Sequence, residues 1–324
     1  MLANPLSDPR TRLALSHMRL AQTGEIFRRI MGRPVWKDED YRPSLSEDDR
    51  RELPRIAEEI RGDAARAAVF VHGVLPRSGT NFVANALSLH PDICAFPDDI
   101  WEFPLLHLAP GGRALRNEIL SLFPANDTRL SPLAPLAYVA SGWLHSLELR
   151  YPRGRFLFKS PHVRGLSLFS SLFPHDHLVV CIRDGRDIAA SSEGTFKGGI
   201  FGKNLTQIAH EWRQATDAVL DLENARPDGI TVVRFEDLVR SAANEIRRIL
   251  PRIDLDIERF PFDELEHLPV FGSSTNDRSD DERWQPVERS GDFSPIGRWK
   301  NWPERRKRRF HDLAGTALER AGYA

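Results

Sequence analysis

The sequence predicts a three-layer, doubly wound α/β fold with a mostly parallel sheet, helical insertions and an N-terminal helical arm. Short runs of β-branched and aromatic residues alternate with helical stretches along the chain, as expected for strands joined by crossover helices. Each run is apolar almost throughout, which is typical of strands covered by helices on both faces. With 324 residues, 41% of them apolar, the chain is long enough for one large domain of this kind.

Four strands are predicted, each followed by a helical stretch. The strand sequences are AVFVH, RFLFK, HLVVCI and ITVVRF, at residues 68–72, 155–159, 177–182 and 230–235. The helical stretches are expected at residues 80–90, 163–173, 185–192, 204–225 and 236–250.

The regions outside this alternation differ from it in polarity and in predicted secondary structure. Residues 1–62 are polar and helical, which predicts an N-terminal arm preceding an α/β domain at 63–324. Ser46 with Asp49 three residues later predicts a capping box at a helix start. Residues 98–150 are interpreted as a helical insertion that shapes a substrate cleft, and the polar residues 272–297 as a long loop.

Composition and charge argue against several classes of protein. Lys plus Arg (45) nearly equals Asp plus Glu (46), so no strong field indicates a nucleic-acid partner. No apolar run is long enough to predict a membrane span, and no His/Cys cluster has metal-ligand spacing. The two cysteines lie in apolar contexts, which predicts free thiols in a reducing compartment and a cytoplasmic location.

The first candidate site is the segment PRSGTNF, which follows the first predicted strand and opens a helix. This is the layout of a P-loop nucleotide-binding fold, because N–H groups at a helix start favour an anion. The Gly-x-x-x-x-Gly-Lys-Ser/Thr signature is missing. Arg77 adds a planar cation, and Gly79 allows close backbone approach. Further donors come from Ser78, Thr80 and Asn81. The alternative is an ordinary strand-to-helix turn.

Two more candidates lie at strand ends, in CIRDGRDIAASS and FKSPHV. Arg183 and Ser191 belong to the first segment, and Lys159 and His162 to the second. Because ligands bind at the carboxyl edge of a parallel sheet, these basic side chains are expected to converge on a ligand with two separated phosphate-type groups. The alternatives are a salt-bridge cluster at a helix start, and a solvated lysine beside a loop histidine.

Together these segments resemble the sulfotransferases. PRSGTNF resembles their 5′-phosphosulfate loop, and CIRDGRDIAASS their 3′-phosphate segment, with Arg183 and Ser191 eight residues apart. VVRFEDLV and SPIGRWKNW resemble two further family segments, and the order fits from about residue 68 to 322. Arg77 stands where cytosolic small-molecule members carry lysine and tyrosylprotein-modifying members carry arginine, which favours a bacterial or tyrosylprotein-like branch. Asn81 replaces the usual second threonine.

The resemblance implies metal-independent transfer of a sulfuryl group from 3′-phosphoadenosine 5′-phosphosulfate (PAPS) to a hydroxyl or amine. The product is adenosine 3′,5′-bisphosphate (PAP), and the acceptor is a carbohydrate, a phenolic small molecule or a peptide tyrosine. By position, the 5′-phosphosulfate is expected to be bound by Arg77, Ser78, Gly79, Thr80 and Asn81. Phe82 is expected to lie near the adenine. Arg183 and Ser191 are expected to bind the 3′-phosphate. The loop through Arg298 and Lys300 is expected to close over the nucleotide.

Sulfuryl transfer needs charge neutralisation and a general base. Arg77 and Lys159 are the candidates for the charge on the leaving oxygen. Asp98, which aligns with the carboxylate of tyrosylprotein members, and Glu102, one turn further on, are two candidates for the base. His162 is the third, although it lies three residues after the lysine where small-molecule members have two.

Two other classes of protein share parts of this pattern. A P-loop kinase-like phosphoryl transferase is expected to carry a Walker lysine and an acidic magnesium ligand at a strand end, and neither stands at the expected place. A catalytically inactive nucleotide-binding protein is expected to have lost Arg77, Lys159 or Arg183, and all three are present.

Overall fold

The structure, a computed structural model, describes residues 20–62, 65–100, 102–103, 105–195, 202–268 and 294–324. Its centre is a five-stranded sheet in the order β2-β3-β1-β4-β5, with every pair parallel. The strands are β1 Val69–Gly73, β2 Ile93–Ala95, β3 Arg155–Ser160, β4 His177–Ile182 and β5 Thr231–Arg234. In the register of β1, Val71 pairs with Lys159 on one side and Val179 on the other.

The helices described are α1 Leu20–Ile30, α2 Asp38–Tyr41, α3 Glu47–Arg61, α4 Thr80–Leu87, α5 Ala109–Leu122, α6 Ala134–Arg150, α7 Phe169–Leu172, α8 Gly185–Thr195, α9 Leu205–Ala225, α10 Phe235–Arg240, α11 Ala242–Arg252, α12 Phe262–Leu265 and α13 Glu304–Arg320. Short 3-10 helices include Leu166–Leu168 and Arg298–Asn301. The helix expected at 163–173 is only two short turns, and the one expected at 236–250 is divided at Ser241, whose backbone is not helical.

Side chains alternate across the sheet and build two apolar layers. Phe70, Phe158 and Val180 face one layer, which is covered by α3, α6, α9 and α13. Val71 and Val179 face the other layer, which is covered by α4 and α11. Because helices cover both faces of one parallel sheet, the three-layer, doubly wound prediction is confirmed.

Helix α3 starts as its sequence predicts. The Ser46 hydroxyl accepts from the Asp49 N–H at 3.0 Å, and the Asp49 carboxylate accepts from the Ser46 N–H at 3.3 Å. The apolar face of the helix then places Leu53 and Ile56 in the first layer. The described part of the predicted arm thus shares its core with the sheet.

A buried ion pair holds the end of α3. The Arg61 side chain is only 1% exposed and lies 2.6 Å from Asp176 and 2.9 Å from Glu148. Asp176 stands immediately before β4, and Glu148 lies on α6. The ion pair therefore ties α3 to the sheet and to the 98–150 insertion, which contains α5 and α6.

Three remaining predictions concern the chain as a whole. None of the helices in the described ranges is long and apolar enough to span a membrane. Cys181 is buried and Cys94 half-buried, and both are free thiols. The long loop predicted at 272–297 falls almost wholly outside the described residues.

Candidate functional site

The loop between β1 and α4 is shaped by its own side chains. Ser78 is buried, and its hydroxyl donates to the Leu75 carbonyl at 2.7 Å while accepting from the Leu75 N–H at 3.2 Å. Gly79, with a φ of 99°, precedes the helix. A Cβ on Gly79 would lie 2.3 Å from the Phe235 ring. Glycine is therefore required both for the backbone turn and for the close approach of Phe235.

Helix α4 opens at the carboxyl end of the central strand. Its first residues, Thr80 and Asn81, belong to a turn whose N–H groups have no acceptor within the helix. The helix dipole adds partial positive charge at the same point, so the geometry suits an anion. Phe82, predicted beside the adenine, packs partly buried against the second apolar layer.

Lys159 stands at the end of β3 next to this helix start. Its side chain is 3% exposed, and its ammonium donates to Asn81 Oδ1 at 2.7 Å and to Glu102 Oε1 at 2.9 Å. The lysine therefore bridges the anion-binding loop and a carboxylate. This contact gives a physical reason for Asn81, whose amide oxygen is an acceptor for the ammonium.

The position of Glu102 follows from its neighbour. The Phe103 N–H donates to the Lys159 carbonyl at 3.0 Å. The Phe103 ring stacks on Trp143 of α6, with ring centres 3.8 Å apart. The backbone at 102–103 is thus fixed to the end of β3, which places the Glu102 carboxylate beside Lys159.

Asp98, another candidate base, lies in a different environment. Both of its oxygens accept from Arg150, at 2.9 and 2.8 Å, and Tyr151 also donates to it at 2.8 Å. These hydrogen bonds, first from Tyr151 and then from Arg150, lower the pKa of Asp98. Its carboxylate is occupied at the end of α6.

His162, the third candidate, packs against other rings. Its ring centre lies 4.7 Å from that of Trp36, edge-on, and 5.5 Å from that of His107. Burial, followed by the nearby charge of Lys203, lowers the pKa of His162 well below its usual value. The imidazole is therefore neutral and weakly basic.

The second phosphate candidate, Arg183, connects directly to the first loop. Its guanidinium donates to the Arg77 carbonyl at 2.8 Å and to the Pro295 carbonyl at 2.6 Å. The Arg77 guanidinium in turn donates to the Ser191 hydroxyl at 3.0 Å. Arg77, Arg183 and Ser191 thus form one connected group, whereas the sequence assigned Arg77 to the loop and the other two to a separate clamp.

One hydrogen-bond donor of Arg183 is not used by the described residues. The arginine is buried, yet its Nε has no acceptor among the described residues. Burial lowers the pKa of Arg183, an effect that the acids Asp187 and Glu236 oppose. The hydrogen bonds described for these acids go to other groups: Asp187 accepts from the Gly297 N–H and Glu236 from the Asp184 N–H. A buried cation of this kind suits an external anion.

Phe235 contacts both Gly79, in the loop after β1, and Arg183, after β4, a role that the sequence did not predict. The Arg183 guanidinium lies 4.4 Å above the Phe235 ring, in the geometry of a cation–π contact. The same ring fills the space beside Gly79. The signal in the sequence was this phenylalanine, which ends the strand predicted at 230–235 and opens the FEDL segment.

Residues 294–301, here called the strap, attach to the turn at 183–187. The Asp187 carboxylate accepts from the Gly297 N–H at 2.8 Å, and Asp184 accepts from the Trp299 indole at 3.0 Å. Arg186 pairs with Asp184 at 2.8 Å and stacks on the Trp299 ring at 3.7 Å. The salt-bridge alternative thus holds for Asp184 and Arg186, and the same cluster fastens the strap.

The strap carries the two basic residues predicted to close over the nucleotide. Arg298 is half-buried and Lys300 is exposed, and both lie on the 3-10 helix Arg298–Asn301. Closure over a nucleotide stays a prediction.

Two further side chains, Glu236 and Trp212, support the 183–187 turn, and the sequence did not predict this role for them. The Glu236 carboxylate accepts from the Asp184 N–H at 3.0 Å, and burial raises the pKa of Glu236. The Trp212 indole donates to the Arg183 carbonyl at 2.9 Å. Gly185 leaves room for the Trp212 ring, which a Cβ would approach to 2.5 Å.

The structure therefore gathers the predicted residues at the carboxyl edge of β1, β3 and β4. Lys159, Asn81 and Glu102 lie on the β3 side, and the group around Arg183 on the β4 side. Asp98 and the His162 ring make their contacts elsewhere. Within the described residues, no group of three or more His, Cys, Asp and Glu side chains could hold a metal ion.

Comparisons with known proteins were made at the levels of sequence and structure. A family model described as "Sulfotransferase family" matches residues 68–259. The comparison with curated protein sequences gave no match.

Similar solved structures include three sulfotransferases. A mouse sulfotransferase complexed with PAP is 12% identical, with 86% of this chain and 95% of that chain covered and a TM-score of 0.46. The sulfotransferase domain of the Synechococcus PCC 7002 olefin synthase is 21% identical, with 79% and 96% covered and a TM-score of 0.46. A sulfotransferase from Mycobacterium avium is 14% identical, with 87% and 88% covered and a TM-score of 0.45.

The family match spans more than half of the chain and includes the loop at 76–82, Lys159, the 183–191 segment and FEDL. It does not test the tyrosylprotein-like branch. The resemblance seen in the sequence is confirmed at the level of the family: the chain belongs to the sulfotransferase family.

Proposed function

We propose that the protein transfers a sulfuryl group from PAPS to a hydroxyl or amine of an acceptor and releases PAP. One observation carries the proposal. Buried Lys159 lies within hydrogen-bond distance of both Asn81, at the anion-binding helix start, and Glu102. A cation at the phosphosulfate loop and a carboxylate beside it are the two groups that this transfer requires.

The donor fits the charges of the site. The start of α4 suits the 5′-phosphosulfate, because N–H groups and the helix dipole favour an anion there. Buried Arg183, whose Nε has no acceptor among the described residues, suits the 3′-phosphate. Ser191 and Arg77 join these two positions through their 3.0 Å hydrogen bond.

Charge neutralisation falls to Lys159 in this proposal. PAPS supplies an activated sulfur–oxygen bond, and negative charge builds on its leaving phosphate oxygen as that bond breaks. Lys159 has little exposure and a fixed position, so its positive charge acts without reorganisation. Because the Arg77 guanidinium contacts Ser191, we assign Arg77 to bridging the two phosphate sites rather than to the transferring group.

Glu102 is the general base in this proposal. Of the three candidate groups, it is the one for which the structure gives a contact with Lys159. It takes the proton of the acceptor as the acceptor oxygen or nitrogen bonds to sulfur. Asp98 is engaged with Arg150 and Tyr151, and burial makes His162 a weak base.

The acceptor belongs to one of three classes in this proposal: a carbohydrate, a phenolic small molecule or a peptide tyrosine. Phe103, next to Glu102 in the chain, stacks on Trp143, and both rings are only partly buried, which supports an acceptor with an apolar ring or face. We also place the protein in the cytoplasm, which agrees with its free cysteines.

Calorimetric titration with PAP in magnesium-free buffer tests the donor assignment. We expect PAP to bind the wild type and to bind Arg183→Ala at least tenfold more weakly, since a charged hydrogen-bond partner is lost. Arg55→Ala, on the exposed side of α3, is the matched control and should bind normally. Binding of magnesium–ATP but not of PAP would instead favour a phosphoryl transferase.

Transfer itself is measured with sulfur-labelled PAPS against sugars, phenols and tyrosine peptides. Labelled product is expected from one of these classes. If PAP binds but no class is labelled, the catalytic part of the proposal is wrong, and an inactive nucleotide-binding protein is favoured.

A further inference from the structure

The residues at 321–323 pack against the back of the donor site. The Tyr323 hydroxyl donates to Glu236 Oε2 at 2.8 Å. The Tyr323 carbonyl accepts from the Arg186 guanidinium. One residue thus contacts both the turn at 183–187 and the carboxylate that supports this turn.

Further contacts fix Tyr323 in place. The Arg234 guanidinium donates to the Ala321 carbonyl and lies 5.7 Å from the centre of the Tyr323 ring. The Trp212 ring centre lies 6.4 Å from the Tyr323 ring centre. Arg234 ends β5, so this segment is anchored at the edge of the sheet.

A short path leads from Tyr323 to the phosphate-binding arginine. Tyr323 holds one oxygen of Glu236, and the other oxygen accepts from the Asp184 N–H at 3.0 Å. Asp184 follows Arg183 directly, and Phe235 beside Glu236 contacts the Arg183 guanidinium. The orientation of the Glu236 carboxylate therefore bears on the backbone at 183–184 and on the ring beneath Arg183.

We infer that Tyr323 is a positioning residue for donor binding. It fixes Glu236, and through it the turn that presents Arg183 and fastens the strap. The inference rests on the proposed function, because it assumes that Arg183 binds the 3′-phosphate of the donor.

The inferred effect is confined to one side of the site. Tyr323 acts on the β4 side, whereas Lys159 and Glu102 lie on the β3 side. Loosening the 183–187 turn therefore weakens donor and PAP binding and leaves the chemical step unchanged. The hydroxyl matters because Glu236 is buried, and a buried carboxylate that loses a hydrogen-bond donor carries a free-energy cost.

Tyr323→Phe tests this inference, since phenylalanine keeps the ring and its packing and removes only the hydroxyl. We expect the Kd for PAP and the KM for PAPS to rise about three- to tenfold, in the range of one lost buried hydrogen bond. The kcat and the acceptor KM should stay at wild-type values. A purely structural role would lower the melting temperature without this split.

Tyr151→Phe is the matched control, because its hydroxyl makes the same 2.8 Å contact with a carboxylate, Asp98, outside the donor site. It should leave the PAP Kd unchanged. Tyr323→Phe is also combined with Glu236→Gln. If Tyr323 acts through Glu236, the double variant should weaken PAP binding by less than the product of the two single effects.

The possible outcomes separate this inference from the proposed function. If Tyr323→Phe and the wild type bind PAP equally well, the inference is overturned and the proposed function stands. A loss of kcat with an unchanged PAPS KM also overturns it. Failure of the wild type to bind PAP overturns both.

Discussion

At the scale of the residue, one hydrogen bond accounts for Asn81, which the sequence alone left without an explanation. The sequence identified it as a departure from the family pattern, and the pattern itself offered no reason for an amide at this position. The 2.7 Å contact with Lys159 supplies one, because the amide oxygen accepts from the ammonium without adding charge. The residue that departs from the family contacts the cation that we assign to the transferring group.

Glu102→Gln is expected to lower kcat by about 10²- to 10⁴-fold, the usual contribution of a positioned base. Asp98→Asn is the matched control, because it makes the same change in a carboxylate that Arg150 and Tyr151 occupy. Its kcat should remain within about threefold of wild type. Turnover of sulfur-labelled PAPS with saturating acceptor measures both.

His162→Ala completes this comparison. Because its imidazole is buried against Trp36, we expect a loss of stability with most of kcat retained in the folded fraction. A full loss of kcat in His162→Ala, together with normal turnover in Glu102→Gln, would instead identify the histidine as the base.

Gly79→Ala is expected to lower the free energy of unfolding by about 2–4 kcal/mol, from backbone strain and overpacking together. The added Cβ would stand 2.3 Å from Phe235, at a φ of 99° that alanine rarely adopts. Because Phe235 also supports Arg183, PAP affinity should fall with stability. Urea unfolding and calorimetry measure the two effects.

Gly142→Ala is the control for that substitution. Gly142 lies inside α6, and a Cβ there meets nothing within 4 Å. Alanine should stabilise the protein by about 0.5–1 kcal/mol. Equal effects at the two positions would contradict the packing argument for Gly79.

Arg77, Lys159 and Arg183 could be predicted because each lies at or soon after the end of a recognisable apolar strand. The hydrogen-bond partners of these residues could not be predicted from the sequence. Arg77 and Ser191, for example, are 114 residues apart in sequence and meet only through the parallel pairing of β1 and β4. Tyr323 and Glu236, 87 residues apart, are a second such pair. No local pattern encodes contacts of this length.

At the scale of the element, long apolar runs were predicted correctly and short or divided elements were not. β2 has three half-buried residues and pairs with β3 alone, so it lacks the apolar run that marked the other strands. Ser241 divides the helix expected at 236–250, because its non-helical backbone separates α10 from α11. Both differences arise from local geometry that apolar periodicity does not record.

Arg61→Ala is expected to lower the free energy of unfolding by about 3–5 kcal/mol, because it leaves a buried carboxylate without its partner. Asp176, 2.6 Å away, has a fully buried side chain. Arg55→Ala in the same helix is the control. Its pair with Glu59 is exposed, so the free energy of unfolding should stay close to the wild-type value. Urea denaturation followed by circular dichroism gives both values.

Similar losses for Arg61→Ala and Arg55→Ala would show that α3 is not held by the buried ion pair. In that case the docking of the helix would rest on its apolar face, which carries Leu53 and Ile56.

At the scale of the whole molecule, the strand order creates the site. β1 and β4 are neighbours, but the chain leaves β1 toward β2 at one edge of the sheet and leaves β4 toward β5 at the other edge. Loops diverge at such a point and leave a crevice at the carboxyl edge. The sequence predicted parallel strands and a shared edge, but the order of strands depends on how the helices pack.

The stability of the folded protein should fall as the pH drops from about 6.5 to 4. Burial lowers the pKa of His72 to about 4 and that of His107 to about 3. Histidines in the unfolded chain titrate near 6.5. In this window the unfolded state binds protons that the folded state does not, so acid favours unfolding. Urea unfolding at several pH values measures the slope.

His72→Gln isolates one of these protons. It should reduce the slope of unfolding free energy against pH by up to about 1.4 kcal/mol per unit, the value for one proton. Equal slopes in wild type and His72→Gln would contradict the burial argument.

The shielding of Lys159 has a consequence for chemical labelling. Its side chain is 3% exposed and its ammonium donates to Asn81 and Glu102, whereas the Lys37 side chain is 61% exposed. Amine-reactive reagents attack the accessible, unprotonated amine, so Lys37 acquires the label while Lys159 stays unmodified in the folded protein. Appearance of label on Lys159 then reports that the site at the carboxyl edge of the sheet has opened.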